Sequence, residues 1–451
     1  MREISLHDTL TGRSRPLEPR DPPRVGIYAC GPTVYGRIHV GNARVYVVFS
    51  LLKRHLEHEG YGVTLAMNVT DVNDKIYDAA RAVGRPSAEL AAEMTARYRE
   101  DTGRLNLGRP DAEPLASETI GPIVALIDDL VEGGHAYVAE GDVYFRVRRY
   151  ARYGELSHRD VDDMDQGEGV EGTERKEDPL DFALWKAEKP EEDTAWDSPW
   201  GRGRPGWHIE CSAMAEELLG TDFEIHGGGT DLVFPHHENE AAQTRAARGM
   251  PLARMWMHNG MVRLEGTKMA KSVGNIQPLH TALDSYGRDA LIMYFVGGHY
   301  RQPLAFSPER LEEAAARVAR IQEFGGALLS GPSPADLEPL RERFFAALAD
   351  DFNTPAALGA LFEWVREANR RDEPIGDAAP REMLGVLGLA NLIDASEGPE
   401  PGPEALALAG RREEARRERD FEAADRLRDE LRAQGWEVRD GPGGPELRPA
   451  P

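Results

Sequence analysis

Cys30 and Cys211 are the two cysteines of the chain, and each is a candidate metal ligand. Cys30 ends an apolar run that Gly31-Pro32 then breaks. That is the end of a strand, where ligands gather in open α/β sheets. Cys211 closes Trp207-His208-Ile209-Glu210-Cys211. Further on, Pro235 can open a helix, which puts His236 and Glu240 at i and i+4 on one face. Two thiolates, one imidazole and one carboxylate would make a four-ligand zinc set. No Cys-x-x-Cys pair supports it, and two small buried cysteines packed as apolar side chains fit the same spacing. His237 and Glu238 point elsewhere on that helix, to the surface or to hydrogen bonds behind the ligands.

Two other segments suit phosphate. Thr33-Val34-Tyr35-Gly36-Arg37-Ile38-His39-Val40-Gly41-Asn42 follows the strand and opens a helix. A helix N-terminus offers backbone N–H groups and positive potential to an anion. Gly41 allows a ligand close to the backbone, and His39 and Asn42 can donate to phosphate oxygens. A capped helix with an incidental histidine accounts for the same residues. Gly266-Thr267-Lys268-Met269-Ala270-Lys271-Ser272 sets two lysines between glycine and serine, a cationic loop suited to a polyphosphate or simply a solvated turn. The lack of a Gly-x-x-x-x-Gly-Lys-Ser/Thr loop argues against an ordinary P-loop ATPase.

Such residues need elements to hold them. Residues 25–30 read as a strand and 42–58 as a helix, with Val45, Val48, Phe49, Leu52 and Leu56 on one side. Residues 63–69 read as a second strand, completing the βαβ unit that starts a doubly wound parallel sheet. A mixed segment follows. Its acidic stretch 161–181 reads as exposed loop, yet Trp185, Trp196, Trp200 and Trp207 signal packing nearby. The sheet pattern resumes near Gly206. The fold class expected is therefore α/β: a split Rossmann-like catalytic domain with an insertion, then an α-helical bundle and a small C-terminal module.

The boundaries expected are 1–109 and 206–250 for the two catalytic halves and 110–205 for the insertion. Residues 251–306 hold the lysine loop and a connecting fold, 307–395 the bundle, 396–403 a Pro/Gly linker and 404–451 the last module. In the bundle, 314–329 has helical spacing. Asn353 or Thr354 caps another helix that has Pro355 at its first position. Residues 411–432 read as one charged helix. Arg416, Arg426 and Arg432, with Arg439 and Trp436, are candidates to touch RNA, Trp436 by stacking on an unpaired base. The helix is charge-balanced, so an ordinary solvated face fits it as well.

Composition narrows the field. The chain has 451 residues, 41% hydrophobic and 29% charged, enough for a real core. Its formal charge of −24 excludes a wholly basic, nucleic-acid-coating surface but not a local basic strip. Two cysteines exclude a disulfide framework and fit a reducing compartment. No apolar stretch approaches the roughly 20 residues needed to span a bilayer, and the first residues lack a signal-peptide run. The expected setting is the cytoplasm, with no membrane partner.

Together these segments resemble the class I aminoacyl-tRNA synthetases. His39-Val40-Gly41-Asn42 is similar to the class's His-Ile-Gly-His signature, and Lys268–Ser272 to its Lys-Met-Ser-Lys-Ser signature. Within the class the resemblance is to the cysteinyl-tRNA synthetases. It rests on Cys30-Gly31-Pro32-Thr33-Val34-Tyr35, Asn68-Val69-Thr70-Asp71, the segment from Gly206 to Met214, and the block from His226 to Glu240. It continues through residues 350–355 and the terminal module. The resemblance implies one Zn2+ per chain, held by Cys30, Cys211, His236 and Glu240 and binding the substrate thiolate directly. It implies ATP with Mg2+, L-cysteine and tRNA(Cys) as partners of a monomer. His39, Gly41, Asn42, Lys268, Lys271 and Ser272 would serve ATP, with His39, Asn42, Lys268 and Lys271 catalytic. Gly31, Thr33, Thr70, Trp207 and Asp231 would shape the amino-acid pocket. Selection by metal–sulfur bonding makes proofreading unnecessary, so the insertion is expected to have no hydrolytic editing function.

Three rivals remain: a ligase joining cysteine to an amino-sugar in thiol biosynthesis, a non-catalytic tRNA-binding relative, and a zinc hydrolase. The terminal module, the retained lysines and the absence of an obvious general base oppose them in turn. The chain departs from the class pattern at Asn42, which replaces a histidine and never carries charge, and at Ala270, which replaces the middle serine. Losing one hydroxyl while keeping both lysines is a small change. Ala270→Ser should alter the rate of cysteine activation by less than ~10-fold, under about 1.4 kcal/mol in barrier. Single-turnover adenylate formation measures this, and a hundredfold change would contradict it.

Overall fold

The computed structural model describes residues 2–164, 173–264, 267–268, 277–394, 402–441 and 444–449. An antiparallel hairpin, β1 (Ser5–Asp8) and β2 (Arg13–Pro16), comes first. The apolar run that follows is β3 (Arg24–Ala29), which pairs in parallel with β4 (Gly62–Met67). Between them runs α1 (Val40–His58). The expected apolar stripe of α1 is wider than one side: Ala43, Tyr46, Val47, Phe49, Leu51 and Leu52 are all buried. The sheet covers one flank of this helix and later helices cover the other.

Helices α2 (Asp74–Val83), α3 (Ser87–Gly103) and α4 (Ile120–Glu132) lead into an antiparallel sheet. Its strands are β5 (Ala136–Ala139), β6 (Asp142–Phe145), β7 (Phe182–Ala187) and β8 (Gly203–Pro205), in that order. Trp185 is fully buried in it, with Trp196 and Trp200 packed against the same core. Of the acidic stretch 161–181, residues 165–172 lie outside the described residues, and its two ends are less exposed than a loop of this acidity suggests. Val161 and Met164 rest on that core, and the buried Asp181 accepts from the Val147 N–H and the Tyr137 hydroxyl. An acidic side chain can be buried here because donors meet it.

Helix α5 (Trp207–Leu219) returns the chain to the main sheet. Strand β9 (Phe223–Gly229), helix α6 (Glu238–Arg248) and strand β10 (Ala253–Asn259) follow. The sheet order is β10-β9-β3-β4, with every neighbouring pair parallel. From β3 the chain goes to β4 on one side and comes back to β9 on the other. That reversal opens a crevice at the carboxyl ends of β3 and β9, the place where open α/β sheets bind ligands. Gly227 in β9 has no room for a side chain, because a Cβ there would lie 2.0 Å from the Phe49 ring of α1.

The lysine segment is rooted in a small sheet, β11 (Val262–Leu264), β12 (Thr267–Lys268) and β13 (Leu304–Phe306), with α7 (Leu279–Val296) between its last two strands. Helix α8 (Pro308–Gly325) ends earlier than the expected 329, because Leu328–Leu329 forms a short strand β14 paired with β15 (Ile375–Gly376). Helices α9 (Glu338–Ala349), α10 (Thr354–Ala368) and α11 (Ala378–Val386) complete this part. Asn353 caps α10 as expected, accepting from the Ala356 N–H, with Pro355 in the first turn.

Residues 393–451 form a separate compact unit. The stretch 411–432 is not one helix. Helices α12 (Pro403–Arg417) and α13 (Phe421–Ala433) break at Arg419, whose φ is +62°, and Asp420 caps the second by accepting from the Ala423 N–H. A β16 (Trp436–Gly441) and β17 (Gly444–Pro449) hairpin closes the unit. Its core joins Leu408, Leu427, Leu431, Trp436 and Val438. Among the described residues no helix is long and apolar enough to cross a membrane.

Candidate active site and metal centre

The crevice at the end of β3 and β9 collects the metal-binding candidates. Cys30 is the first residue after β3, and Cys211 lies on the second turn of α5. His236 and Glu240 flank the junction where a wide π turn (Val233–His237) runs into α6. All four side chains are buried. Cys30 Sγ stands 3.6 Å from His236 Nε2 and 3.6 Å from Glu240 Oε1. His236 Nε2 is 2.9 Å from Glu240 Oε1, and the Cys211 sulfur lies within 4.8 Å of the other three donors. A tetrahedral ion with bonds of roughly 2.0–2.3 Å sets its ligand atoms roughly 3.3–3.8 Å apart. The two Cys30 separations fall in that range and the His236–Glu240 one is shorter, so with small shifts the four donors could hold a divalent metal ion.

Their electrostatics point the same way. Burial pushes the Cys30 thiol well up, and Cys211 beside it adds to the rise. The bond from Cys30 outweighs burial at Cys211 and lowers that thiol to about 6. Burial would depress the His236 imidazole, but Glu240 and Cys211 overcome it and raise it to about 10. Burial alone would raise Glu240, yet His236 and His226 hold it well below the carboxylate range. A buried anionic cluster of this kind needs a cation, and a metal ion would take the place of the protons. His236 is also oriented from behind. Its Nδ1 is 3.0 Å from His208 Nδ1, and the Trp207 ring stacks on it at 4.2 Å.

Two histidines without an expected place at the ligands join the cluster. His226 Nε2 lies 3.6 Å from Cys30 Sγ and 3.2 Å from Glu240 Oε2. His237, expected at the surface or behind the ligands, is fully buried, with Nε2 3.9 Å from Glu240 Oε1. Its Nδ1 bonds His258 Nε2 at 2.7 Å, and His258 Nδ1 bonds Thr9 Oγ1 at 2.7 Å. The signal for His237 lay in Gly228, where a Cβ would come within 2.9 Å of the His237 ring. Glu238 is buried too, accepting from the Gly154 and Ser157 N–H groups and so tying α6 to the chain after β6.

The phosphate-type segment is built differently from the expectation. His39 is itself the N-cap of α1. Its Nδ1 accepts from the Gly41 and Asn42 N–H groups, and Asn42 Oδ1 accepts from the His39 N–H at 3.1 Å. The first N–H groups of the helix are therefore engaged. An accepting Nδ1 puts the ring proton on Nε2, which leaves Nε2–H and the Asn42 amide as the donors. Gly41 is required by this cap, since a Cβ there would lie 2.8 Å from the His39 ring. Asparagine at 42 suits the reciprocal bond.

Both roots of the lysine loop meet this cap. Val262 of β11 lies against Gly41. Past the loop, Gln277 O accepts from the Val40 N–H and Ile38 O from the Leu279 N–H. Lys268 lies on β12 opposite Arg263. Ala270, Lys271 and Ser272 lie outside the described residues. Arg44, buried on α1, donates to the carbonyls of Gly260 and His299 and so fixes the approach to β11.

The pocket candidates fall around Cys30 and His236. Gly31 is demanded by packing, because a Cβ would lie 1.8 Å from the Asn68 carbonyl. Its N–H donates to Asn68 Oδ1, whose amide donates to Thr70, and Thr33 bridges to Thr70. Asp231 is exposed in the turn after β9. In the C-terminal unit, Arg416, Arg426 and Arg432 are exposed, but Trp436 is not. Its ring is enclosed by Leu408, Leu427 and Leu431 in the unit's core, so the expected stacking on a base is corrected. Arg439 has its backbone in β16 opposite Glu446.

A parallel sheet with a crevice at its reversal and a capped helix beside it defines an open α/β domain of the kind that binds ligands at that point. Residues 16–316 match the family model for the class I (C) tRNA synthetase catalytic domain. The fold is also that of solved class I enzymes. The Mycobacterium tuberculosis methionyl-tRNA synthetase, in complex with methionyl-adenylate, aligns with a TM-score of 0.60 at 17% identity over 86% of this chain and 94% of that one. A LeuRS of Agrobacterium radiobacter, in a ternary complex with tRNA, gives 0.59 at 12% identity over 84% of each chain. Residues 343–393 match the DALR domain, and residues 398–448 the cysteinyl-tRNA ligase anticodon binding domain. The cysteine-tRNA ligase of Alkalilimnicola ehrlichii is 46% identical over 99% of both chains, and that of Caldicellulosiruptor saccharolyticus 44% over 98% of this chain and 99% of its own. The chain belongs to the cysteine-tRNA ligase family of class I aminoacyl-tRNA synthetases.

The cap makes a separable prediction. His39→Ala removes both the ring donor and the helix cap, and should cost about 1 kcal/mol of stability, whereas His39→Asn keeps a capping oxygen and most of that stability. Thermal unfolding of the two variants measures the difference.

Proposed function

We propose that the chain activates L-cysteine with ATP and transfers it to the 3′ end of tRNA(Cys). The observation that carries this reading is the convergence of Cys30, Cys211, His236 and Glu240 at the reversal of the sheet. These residues would hold one Zn2+, which when bound supplies a thiophilic centre for the substrate sulfur. Serine offers a poor ligand and alanine none, so cysteine is chosen by its thiolate.

The rest is positioning and charge. The substrate carboxylate attacks the α-phosphorus of ATP, which arrives with Mg2+, to give cysteinyl-adenylate and pyrophosphate. His39 Nε2–H and the Asn42 amide donate to phosphate oxygens at the start of α1. Lys271, helped by Lys268, neutralises the leaving pyrophosphate, and Ser272 binds ATP. Gly31, Thr33 and Thr70 on one side, and Trp207 and Asp231 on the other, shape the amino-acid pocket. The ribose 2′-hydroxyl of the terminal tRNA adenosine then attacks the adenylate carbonyl, and AMP leaves.

The division of labour follows the boundaries read from the sequence: catalytic halves 1–109 and 206–250, insertion 110–205, lysine segment 251–306, bundle 307–395 and terminal module 404–451. In that module Arg416, Arg426, Arg432 and Arg439 contact the anticodon. The chain acts as a cytoplasmic monomer. A match to an anticodon binding domain supports tRNA over an amino-sugar as acceptor.

Purified chain should exchange pyrophosphate into ATP with cysteine, and with serine at least ~10^4-fold more slowly in kcat/KM. It should then charge unfractionated tRNA and leave an amino-sugar acceptor untouched. Equal exchange with serine would refute selection by sulfur. Removing residues 396–451 should weaken tRNA charging while sparing exchange. If a folded truncation loses both activities equally, the terminal module is structural.

A further inference from the structure

The cluster holds more ligands than one tetrahedral ion can use. Cys30 and Glu240 form an edge with candidate donors on both sides. On one side lie Cys211 and His236. On the other, His226 and His237 bring their Nε2 atoms toward the same sulfur and carboxylate, and all four donors of this second group lie within 4.8 Å of one another. His226 Nε2 is 3.6 Å from Cys30 Sγ and 3.2 Å from Glu240 Oε2. His237 Nε2 is 3.9 Å from Glu240 Oε1. These separations resemble those of the first group, where the corresponding edges are 3.6 and 2.9 Å.

Two further observations point to a ligand on that side. Among the described residues, His237 Nε2 is a buried polar atom without a hydrogen-bond partner, and Glu240 Oε2 has only the His226 imidazole facing it at 3.2 Å. Native interiors rarely leave such atoms unsatisfied. His237 also has the outer support that a ligating imidazole needs. Its other nitrogen is fixed by His258 at 2.7 Å, and His258 by Thr9 at 2.7 Å.

Resting on the metal reading above, we propose that Cys30, His226, His237 and Glu240 form a second ligand set for a divalent metal ion. It is mutually exclusive with the first and takes the ion when Cys211 or His236 is lost. One thiolate, two imidazoles and one carboxylate make a competent tetrahedral set. A borderline-soft ion prefers the set with two thiolates, so the intact protein keeps the ion at Cys211. In the second position the ion is ligated on the side of Trp256, whose ring lies 4.5 Å from that of His226, and not by His236, on which Trp207 stacks. An ion held there no longer faces the pocket that Trp207 shapes, so metal content and cysteine selection separate.

The test uses full-length chain loaded with Zn2+ or Co2+, dialysed, and checked for folding by circular dichroism. Intact protein should carry close to one ion per chain, with a cobalt spectrum showing two thiolate ligands. Cys211→Ser and His236→Gln should each keep close to one ion, with the cobalt-thiolate band of Cys211→Ser about halved because one thiolate remains. Both variants should lose discrimination between cysteine and serine in pyrophosphate exchange. Adding His226→Gln and His237→Gln to either should empty the site. A folded Cys211→Ser and a folded His236→Gln that both bind no metal would overturn the second set. So would metal retained after His226 and His237 are also replaced. Intact protein that binds no ion would instead bring down the metal reading itself.

Discussion

The burial of ionisable donors at the end of β3 is the constraint from which the rest follows. A thiolate and a carboxylate taken out of water cost far more than their packing returns unless a positive charge balances them. Cys30, Cys211 and Glu240 are buried within a few ångström of one another, and among the described residues the donors gathered with them are imidazoles. His236 is accordingly driven toward its charged form and Glu240 toward its own. Such a cluster could hold a cation, and the fold buries it. Strand β3 delivers Cys30, α5 delivers Cys211, and the turn into α6 delivers His236 and Glu240.

The phosphate side is held by backbone geometry more than by charge. His39 caps α1 with its own ring, Asn42 returns the bond, and Gly41 yields the space. The strand-like pairing of residues 38–40 with 277–279 then fastens one root of the lysine loop to that cap. Residues 277–279, which follow the lysine segment in the chain, are thereby anchored to the start of α1. Arg44 does the same beneath it through carbonyl oxygens alone.

Much of this is legible in the residues. The strand–helix–strand start, the i and i+4 placement of His236 and Glu240, and the Asn353 cap are local patterns, and they survive folding. What escapes is what depends on contacts distant in sequence. His226 and His258 lie on neighbouring strands, and nothing in their spacing announces that both face His237. The core role of Trp436 depends on α12 and α13 folding back on each other. That break is set by one left-handed residue, Arg419, which is neither glycine nor asparagine and carries no turn signal. Gly31 and Gly41 look like ligand-approach positions, but each makes room for the protein's own atoms.

The insertion shows how such a site can be stiffened from a distance. Its sheet does not end in a core of its own. Ile123, Leu126, Phe145, Phe182 and Trp185 pack into one cluster with Ile209 and Ala213 of α5 and Ala242 of α6. Those two helices carry Cys211 and Glu240. Close-packed interiors transmit small displacements, and a ligand set tolerates few of them. The backbone N–H groups of Gly154 and Ser157 clamp Glu238, which lies between His236 and Glu240 in the chain, adding a polar tie to the apolar one. The segment that carries β5–β8 therefore packs its aromatic core against the two helices that bear Cys211 and Glu240, with Trp185 inside that core and Trp196 and Trp200 against it.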